Sequence, residues 1–577
     1  MRRMTWMVAG EQSRIQSFPA PSGAPYRLCF SVVLFDDVSS GAYSATMKIS
    51  RILLTAFLLV ACCHPARAED SRRRPNVVFF LVDDLGWTDV GCFGSSLYET
   101  PNIDRLAEEG VRFTDAYAAC HVCSPTRASI LTGRYPARLG LSDWIPGRRN
   151  FPFQRLLNAP NLQQLPLKET TLAEALKSHG YATGHFGKWH LGENDFGPLR
   201  QGFDVQVPQN WFKGWPRAGY HAPFKLDGLP DKPGDYLTDR LTDEALRFID
   251  DNSKKPFFLY LSHFAVHDPI HGRPDLVAKY RKRLAERKAP SRPEFILEGN
   301  PDDPEPLTPK QLDALIKQPS QSQYRVLPQR TVKIKQRQDN VEFAGMVEAM
   351  DESLGRVVKK LDSLGLTDNT IVIFFADNGG MAGMNVGNPN RRVGRDRLDV
   401  AFSTANLPLR GAKGWLYEGG IRVPCIVKWP DRAKPGSVSR EPVISNDFYP
   451  TILEMAGLPA NPRQTLDGVS LVPALRGGSL KRDAIYWHFP HYSNHGMQSP
   501  GGAIREGDFK LLEYFENGGV QLFNLKDDIG ERNDLAKTQP AKAEELRRKL
   551  HAWRKRVGAK MMKPNPDHDP SKYPWNP

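Results

Sequence analysis

Two pairs of polar side chains directly follow apolar segments and have the chemistry of a cation site. Asp83 and Asp84 come after residues 77–82, and Asp377 and Asn378 come after residues 371–376. Because ligands of open α/β sheets bind beyond the carboxyl ends of the strands, we expect both pairs at one edge of a sheet. Their donors are all oxygens, which favours Ca²⁺ or Mg²⁺ over zinc. Asp and Asn also end strands for purely structural reasons, which is the alternative interpretation.

A second candidate is the segment CSPTRASILTGR, which begins at Cys123. Taken alone, it predicts a loop that leads into a helix, and a single cysteine is more often a buried packing residue than a nucleophile. Arg127 lies four residues after Cys123. A helix that begins near Pro125 would therefore direct the guanidinium and the first helical N–H groups toward the same anion.

Short apolar runs alternate with amphipathic stretches along most of the chain. The runs at residues 76–82, 256–262, 370–376 and 423–429 are typical of buried strands of a parallel sheet, and helical patterns lie at 102–109, 171–178, 237–250 and 340–364. This alternation predicts an α/β layered domain. Strand patterns at 484–489, 502–505, 509–514 and 520–525, followed by a helix at 541–556, predict a small antiparallel α+β domain at the carboxyl end.

The amino-terminal region predicts export. Met47 begins a short basic stretch, and the apolar residues 52–61 are too few to span a bilayer, which is typical of a signal peptide. Met47 is therefore the expected start. Cleavage follows either the small-x-small pattern at 66–68 or a lipobox-like pattern before Cys62, which would then carry a lipid anchor. We predict a leader and signal peptide at 1–68, a catalytic domain at 75–478 and a carboxyl-terminal α+β domain at 479–577. The protein would be periplasmic or secreted, or anchored to a membrane through Cys62.

Composition and charge exclude several classes of protein. Hydrophobic residues make up 40% of the 577 residues and charged residues 25%, which excludes collagen-like and wholly disordered chains. Cys92, Cys120, Cys123 and Cys425 are the cysteines beyond the leader, too few for a disulfide scaffold and without zinc-ligand spacing. The net charge of +13 would suit nucleic acid, an acidic membrane surface or an anionic substrate. No nucleic-acid-binding motif accompanies it.

The Cys-x-Pro-x-Arg segment at 123–127 and its continuation resemble the signature of the type I sulfatases, whose cysteine is oxidised to formylglycine. Further matches, in the family's order, are DDLGW at 83–87, TPNID at 100–104, GKWHLG at 187–192, AVHDP at 265–269, DNGG at 377–380 and KGWLYEGG at 413–420. The resemblance extends from about residue 75 to residue 534. It implies an alkaline-phosphatase-like fold, in which helices sandwich a large, mixed but mostly parallel sheet, beside a smaller antiparallel domain.

The resemblance also implies roles for individual residues. The metal set is Asp83, Asp84, Cys123, Asp377 and Asn378, with calcium as the ion and Cys123 as the formylglycine precursor. The residues around the formylglycine and the sulfate are Arg127, Lys188, His190, His267 and Lys413. The formylglycine hydrate would be the nucleophile and His190 the base. His267 and Lys413 would contact the leaving oxygen, with His267 as its proton donor. Lys188 and His190 are two residues apart, so an extended or looped segment projects both to one side.

The implied activity is hydrolysis of a sulfate ester. Residues 406–413 resemble bacterial exported sulfatases thought to act on polysaccharides, and residues 273–339 carry fifteen Lys or Arg against nine Asp or Glu. An aromatic loop with Trp211, Trp215 and Tyr220 could stack on sugars or pack within the loop. We therefore expect a sulfated carbohydrate or small-molecule substrate, and a maturation enzyme that converts Cys123. No particular oligomeric state is indicated.

Two other functions remain as alternatives. One is a phosphonate monoester hydrolase or phosphodiesterase of the same superfamily. The other is a non-catalytic protein that binds sulfated glycans, which is disfavoured because every catalytic position of the family pattern is filled. His488, His491 and His495 form a further cluster, for which packing is expected over a place at the pocket mouth.

Overall fold

The computed structural model describes residues 74–210, 212–288, 290–303, 307–318, 331–384, 401–461, 463–495 and 498–572, and the backbone of 324–325 and 392–393. The predicted leader, Met47 and Cys62 lie outside these residues, as does Trp211. Residues 72–577 group into one compact unit. The boundary predicted between residues 478 and 479 stays a prediction.

The chain forms strands β1 (Asn76–Val82), β2 (Val111–Phe113), β3 (Ala116–Tyr117), β4 (Leu156–Leu157), β5 (Ala182–Gly187), β6 (Val205–Val207), β7 (Phe257–Ser262), β8 (Phe295–Glu298), β9 (Tyr324–Arg325) and β10 (Val332–Lys335). They continue with β11 (Thr370–Ala376), β12 (Arg392–Val393), β13 (Cys425–Lys428), β14 (Ser437–Ser439), β15 (Val443–Ile444), β16 (Ile485–Phe489), β17 (Gly501–Glu506), β18 (Phe509–Tyr514), β19 (Val520–Asn524) and β20 (Lys563–Pro564).

Helices alternate with these strands. They are α1 (Pro101–Glu109), α2 (Cys123–Thr132), α3 (Pro136–Leu139), α4 (Leu172–Lys177), α5 (Leu237–Asn252), α6 (Pro274–Ala285), α7 (Pro309–Ile316), α8 (Val341–Ser363), α9 (Glu418–Ile421), α10 (Phe448–Met455), α11 (Val472–Leu475) and α12 (Pro540–Val557). Within the described part of the chain, no helix combines the length and the apolar composition needed to cross a membrane.

The large sheet has eight strands in the order β14-β2-β13-β11-β1-β7-β5-β6. β6, β5, β7, β1 and β11 run parallel, and every residue of β1 and β11 is buried, as in a sheet covered on both faces. Helix α5 packs against β5 and β7, and α8 packs against α1, α5 and α6. The predicted α/β architecture, a mostly parallel sheet with helices, is confirmed.

The prediction of a parallel strand at 423–429 is wrong in its direction. β13 pairs antiparallel with β11 and with β2. β11 ends at the edge of the sheet that carries Asp377, and the chain re-enters the sheet there through α9. It therefore runs back toward the opposite edge, and an apolar run alone does not encode that direction.

A second, smaller sheet lies near the carboxyl end. β16, β17, β18 and β19 pair antiparallel in sequence order, and α12 packs across them. Trp487, Leu546 and Trp553 are buried in the core that the sheet shares with α12. The predicted antiparallel α+β element is confirmed, with strand ends within two residues of the expected ones.

Candidate active site

The ends of β1 and β11 bring the two predicted polar pairs together. The strands are parallel neighbours in register along their whole length, so Asp83 and Asp377 leave the sheet side by side. The Asp84 backbone N–H donates to Asp377 Oδ1 at 3.2 Å, and Asn378 Nδ2 donates to Asp84 Oδ1 at 2.8 Å. All four side chains are buried. The four residues form one cluster at the carboxyl edge of the sheet.

This cluster has the donors that a hard cation needs. Among the described His, Cys, Asp and Glu side chains, those of Asp83, Asp84, Cys123 and His267 have ligand atoms within 4.8 Å of one another. His267 was not predicted as a ligand, and the predicted Asp377 is not in this group. Asn378 Oδ1 is buried without a hydrogen-bond partner among the described residues, which leaves its lone pairs available. Burial and, after it, the charge of Asp377 raise the pKa of Asp83 to about 6. A bound cation would offset this crowding of carboxylates, and the mainly oxygen donor set fits Ca²⁺.

Three buried cations face the three carboxylates, each with its own partner. Lys188 pairs with Asp83, Lys413 Nζ lies 2.6 Å from Asp84 Oδ1, and Arg127 Nη2 lies 2.8 Å from Asp377 Oδ2. Burial alone would lower the pKa of Arg127 and of Lys413, but the facing carboxylates hold both pKa values above their ordinary range. Because buried ion pairs lose much of their Coulomb energy to desolvation, this arrangement is better explained by a site than by stability.

Helix α2 carries two of the predicted residues on one face. It begins at Cys123, two residues before the expected start, so the thiol sits in the first turn, where the N–H groups favour negative charge. Cys123 Sγ lies 3.5 Å from Asp83 Oδ1. One turn later, Arg127 donates through Nε to Asp377 Oδ2 and through Nη1 to Ser262 Oγ and the Lys188 carbonyl. Three acceptor atoms thereby hold the guanidinium beside the thiol.

His190 is held as a neutral imidazole. Its Nε2 lies 2.6 Å from the Ile145 carbonyl, which can only accept, so Nε2 carries the proton. Nδ1 is buried and has no hydrogen-bond partner among the described residues. Burial and the charge of Lys188 hold the pKa of His190 well below its ordinary value. The ring therefore offers an unprotonated Nδ1 inside the site.

His267 is held in the opposite state. Its Nδ1 lies 2.8 Å from Asp268 Oδ1, and its Nε2 lies 3.6 Å from Asp84 Oδ2. Burial favours the neutral ring, but the facing carboxylates, Asp84 above all, raise the pKa of His267 well above its ordinary value. Tyr220 fixes the turn around this residue, because its hydroxyl bonds the carbonyls of Phe264 and His267. The surroundings thus favour a protonated ring at His267 and a neutral ring at His190.

Some participants were missed by sequence reasoning. Asp268 and Ser262 support His267 and Arg127, and only their adjacency to site motifs could have indicated them. Of the carboxyl-terminal histidines, His488 bonds the Lys560 carbonyl and His491 bonds Ser142 Oγ. His495 instead lies against the loop that carries Lys413, where a Cβ on Gly414 would meet its carbonyl at 2.1 Å.

Some of the basic side chains at residues 273–339 are paired with acidic residues. Lys279 and Arg283 both pair with Glu99. Arg287, Lys288, Arg292 and Arg337 line a cavity of about 350 Å³ in which Asp339 is the one acid among the described lining residues. Thr88 also lines this cavity and lies four residues beyond Asp84. The wall of this basic cavity therefore includes a residue of the segment that follows the cluster.

Comparison with known proteins identifies what the geometry resembles. A family model described as sulfatase matches residues 75–458, and one described as the carboxyl-terminal part of N-sulphoglucosamine sulphohydrolase matches residues 412–557. A sulfatase of Formosa agariphila is 30% identical, with 88% of this chain and 94% of that protein covered. Human arylsulfatase A is 31% identical, with 78% and 76% covered.

A solved structure shows the same fold. The crystal structure of Ps i-CgsB in complex with k-i-k-neocarrahexaose superposes with a TM-score of 0.60 at 28% sequence identity, covering 87% of this chain and 95% of that one.

Proposed function

Because the chain belongs to the sulfatase family and is a sulfuric ester hydrolase, we propose that it removes sulfate from a sulfated carbohydrate. In this proposal Cys123 is converted to formylglycine, and Asp83, Asp84, Asp377 and Asn378, with residue 123, hold a calcium ion. The observation that carries the proposal is the position of Cys123 Sγ, buried at a helix amino terminus and 3.5 Å from an Asp83 carboxylate oxygen.

Residue 123 and the metal would supply chemistry that the unmodified chain lacks. When oxidised and hydrated, residue 123 supplies one hydroxyl that attacks sulfur and a second whose deprotonation expels sulfate. Calcium, when bound, supplies positive charge beside the anionic ester.

The fixed cations would stabilise the sulfate ester during attack. Arg127 and Lys188 lie on the side of the site that holds residue 123, and both are buried among carboxylates. Charges held in place by such contacts need no reorganisation when negative charge develops, which is how enzymes lower the barrier most. Arg127 would also orient residue 123, since both side chains project from the first turns of α2.

The two imidazoles would divide the proton transfers. His190 presents an unprotonated Nδ1 because its Nε2–H is donated to the Ile145 carbonyl, so it would accept the proton of the second hydroxyl. His267 lies between Asp84 and Asp268, whose charges favour its protonated form, so it would donate a proton to the leaving oxygen. Lys413, next to Asp84, would bind that oxygen as charge develops on it.

Two observations support a carbohydrate as substrate. One similar structure contains a carrageenan oligosaccharide, k-i-k-neocarrahexaose. The basic cavity lined by Arg287, Lys288, Arg292 and Arg337 would attract the further sulfates of a polyanionic chain. Export of the protein, and a maturation enzyme that acts on Cys123, complete the proposal, since a signal-peptide pattern lies at residues 47–68.

Mass spectrometry of the peptide that contains residue 123 tests the proposal, combined with sulfate release by the intact enzyme. In protein made with a maturation system, we expect the aldehyde or its hydrate at residue 123. Cys123→Ala should lose nearly all turnover, while Cys92→Ala, with the same chemical change away from the cluster, should keep it. Full activity of Cys123→Ala would refute the formylglycine mechanism. Faster hydrolysis of a phosphonate monoester or phosphate diester than of any sulfate ester would favour the phosphonate hydrolase alternative.

A further inference from the structure

His495 reaches the active site from the small carboxyl-terminal sheet. It lies in the connection between β16 and β17 and is 5% exposed. Its backbone lies directly against Gly414, because a Cβ there would be 2.1 Å from the His495 carbonyl oxygen and 2.5 Å from its Cβ. Gly414 follows Lys413, one of the cations of the cluster. His495 is therefore the neighbour of a residue that contacts Asp84.

Local hydrogen bonds fix this position. The His495 N–H donates to Ser493 Oγ at 3.1 Å, and that hydroxyl donates back to the His495 carbonyl at 2.9 Å. The Ser493 carbonyl accepts from Arg148 Nη1 at 2.8 Å. The backbone is held on both sides, yet Nδ1 of the ring is buried with no hydrogen-bond partner among the described residues. A buried, unpartnered ring nitrogen costs free energy unless a ligand satisfies it.

The charged groups around the ring place it on one side of the site. Burial and Lys413 hold the pKa of His495 well below its ordinary value, and Asp84, Asp268 and His267 are its other charged neighbours. The charges that act on His190 are instead mainly those of Lys188 and Arg127. His495 therefore lies beside Lys413, which in the proposed function binds the leaving oxygen, and His267 acts on both rings.

We propose that His495 is a specificity-determining residue that hydrogen-bonds a hydroxyl group of the sugar ring that carries the sulfate. This inference rests on the proposed function, since it concerns the leaving group of the same reaction. A neutral imidazole suits this task because it offers one donor and one acceptor to an uncharged hydroxyl. A charged side chain there would compete with Lys413 for Asp84. 4-Nitrophenyl sulfate has no hydroxyl group and cannot use the contact.

His495→Ala and His495→Gln test the inference on the mature enzyme. The substrates are 4-nitrophenyl sulfate and the best-cleaved member of a panel of galactose 6-sulfate, glucosamine 6-sulfate and carrageenan oligosaccharides. One hydrogen bond to an uncharged group corresponds to a change of up to about tenfold. We expect His495→Ala to lower kcat/KM about tenfold on the sugar, mainly through KM, and less than about twofold on 4-nitrophenyl sulfate. His495→Gln should restore part of the loss.

A binding measurement separates this role from a structural one. In the Cys123→Ala background, calorimetry should show weaker binding of the sulfated sugar by His495→Ala, with unchanged binding of inorganic sulfate and an unchanged Tm. His488→Ala, which removes a buried histidine of the same region away from Lys413, should leave the ratio of the two activities unchanged. Equal losses on both substrates, or no loss on the sugar, would overturn the role of His495. If the wild type cleaves no member of the panel, the carbohydrate proposal itself fails.

Discussion

Replacing Gly214 by alanine should displace the His190 ring while leaving the imidazole itself unchanged. Gly214 is buried, and a Cβ built on it would lie 2.5 Å from His190 Cε1 and 2.7 Å from Nδ1. Its φ is not positive, so alanine adopts the same backbone without strain. Gly214 thus makes room for the ring that would accept the proton of the second hydroxyl.

The size of the effect follows from these distances. Carbon atoms attract at ~3.5–4.0 Å, so the ring must move by about 1 Å. Such a shift stretches or bends the 2.6 Å bond from Nε2 to the Ile145 carbonyl, which sets the tautomer. A misplacement of about 1 Å at a reacting group costs on the order of 10²-fold in rate. We therefore expect kcat to fall about 100-fold, equivalent to ~2.7 kcal/mol in the barrier.

Rapid-mixing kinetics with nitrocatechol sulfate locate the impaired step. If His190 acts in sulfate expulsion, the first turnover of Gly214→Ala should release phenol at nearly the normal rate, followed by a slow steady state. Intact-mass measurement during that steady state should show sulfate retained on the protein. Attack on sulfur does not need the base, so the burst itself should persist.

The controls decide between this interpretation and a packing defect. Gly299 also lacks a positive φ, and a Cβ there meets nothing within 4 Å, so Gly299→Ala should retain normal turnover. His190→Ala should reproduce the burst of Gly214→Ala with an equal or larger loss. An unchanged kcat in Gly214→Ala, or a slow first turnover without a burst, would refute the assignment of His190 as the base for expulsion.

Two further predictions concern the metal and the polymer. Asp377→Ala should weaken both calcium binding, measured by calorimetry, and turnover, measured by sulfate release. The reason is that the Asp377 carboxylate lies in the cluster and also positions Arg127. Stoichiometric zinc that calcium cannot replace would contradict the assignment. Raising salt should lower kcat/KM on sulfated oligosaccharides more than on nitrocatechol sulfate, since charge steering is screened over ~8 Å at physiological strength. Neutralising Lys288 and Arg292 of the basic cavity should mimic that effect. Neutralising the exposed pair Arg281 and Lys282, outside the cavity, should not. Equal salt sensitivity of both substrates would contradict the role of the cavity in attracting the polymer.

The features visible in the sequence are those that depend on local pattern. Short apolar runs that end before polar residues predicted β1 and β11 with the correct ends. Parallel pairing of the two strands then placed Asp83 and Asp377 side by side. The direction of β13 was beyond such reasoning, because it depends on the edge at which the chain re-enters the sheet. The start of α2 was missed by two residues, since Pro125 fits any position in the first turn of a helix.

Residues that act through tertiary contacts escaped the sequence for another reason. Gly214 has no side chain that could react, and only the structure shows that it lies against the His190 ring. His488, His491 and His495 have the same residue type and similar burial, yet two bond nearby carbonyl or hydroxyl groups and one lies beside Lys413. No spacing rule distinguishes the three histidines, because the loop that carries Lys413, against which His495 lies, is more than seventy residues away in the chain.

The pairing of charges explains how one cluster can serve both a cation and an anion. Asp83, Asp84 and Asp377 carry three negative charges when ionised, and Lys188, Lys413 and Arg127 carry three positive ones, so these six groups balance. A divalent cation on the carboxylates leaves an excess of two positive charges, because Asp268 offsets the charge of a protonated His267. A sulfate ester carries one negative charge and lowers this excess, while the cations stay fixed in their buried positions. By linkage, metal and sulfate ester must then each strengthen the binding of the other. In the proposed function, the carboxylates that would hold the metal therefore also hold the cations that would face the substrate.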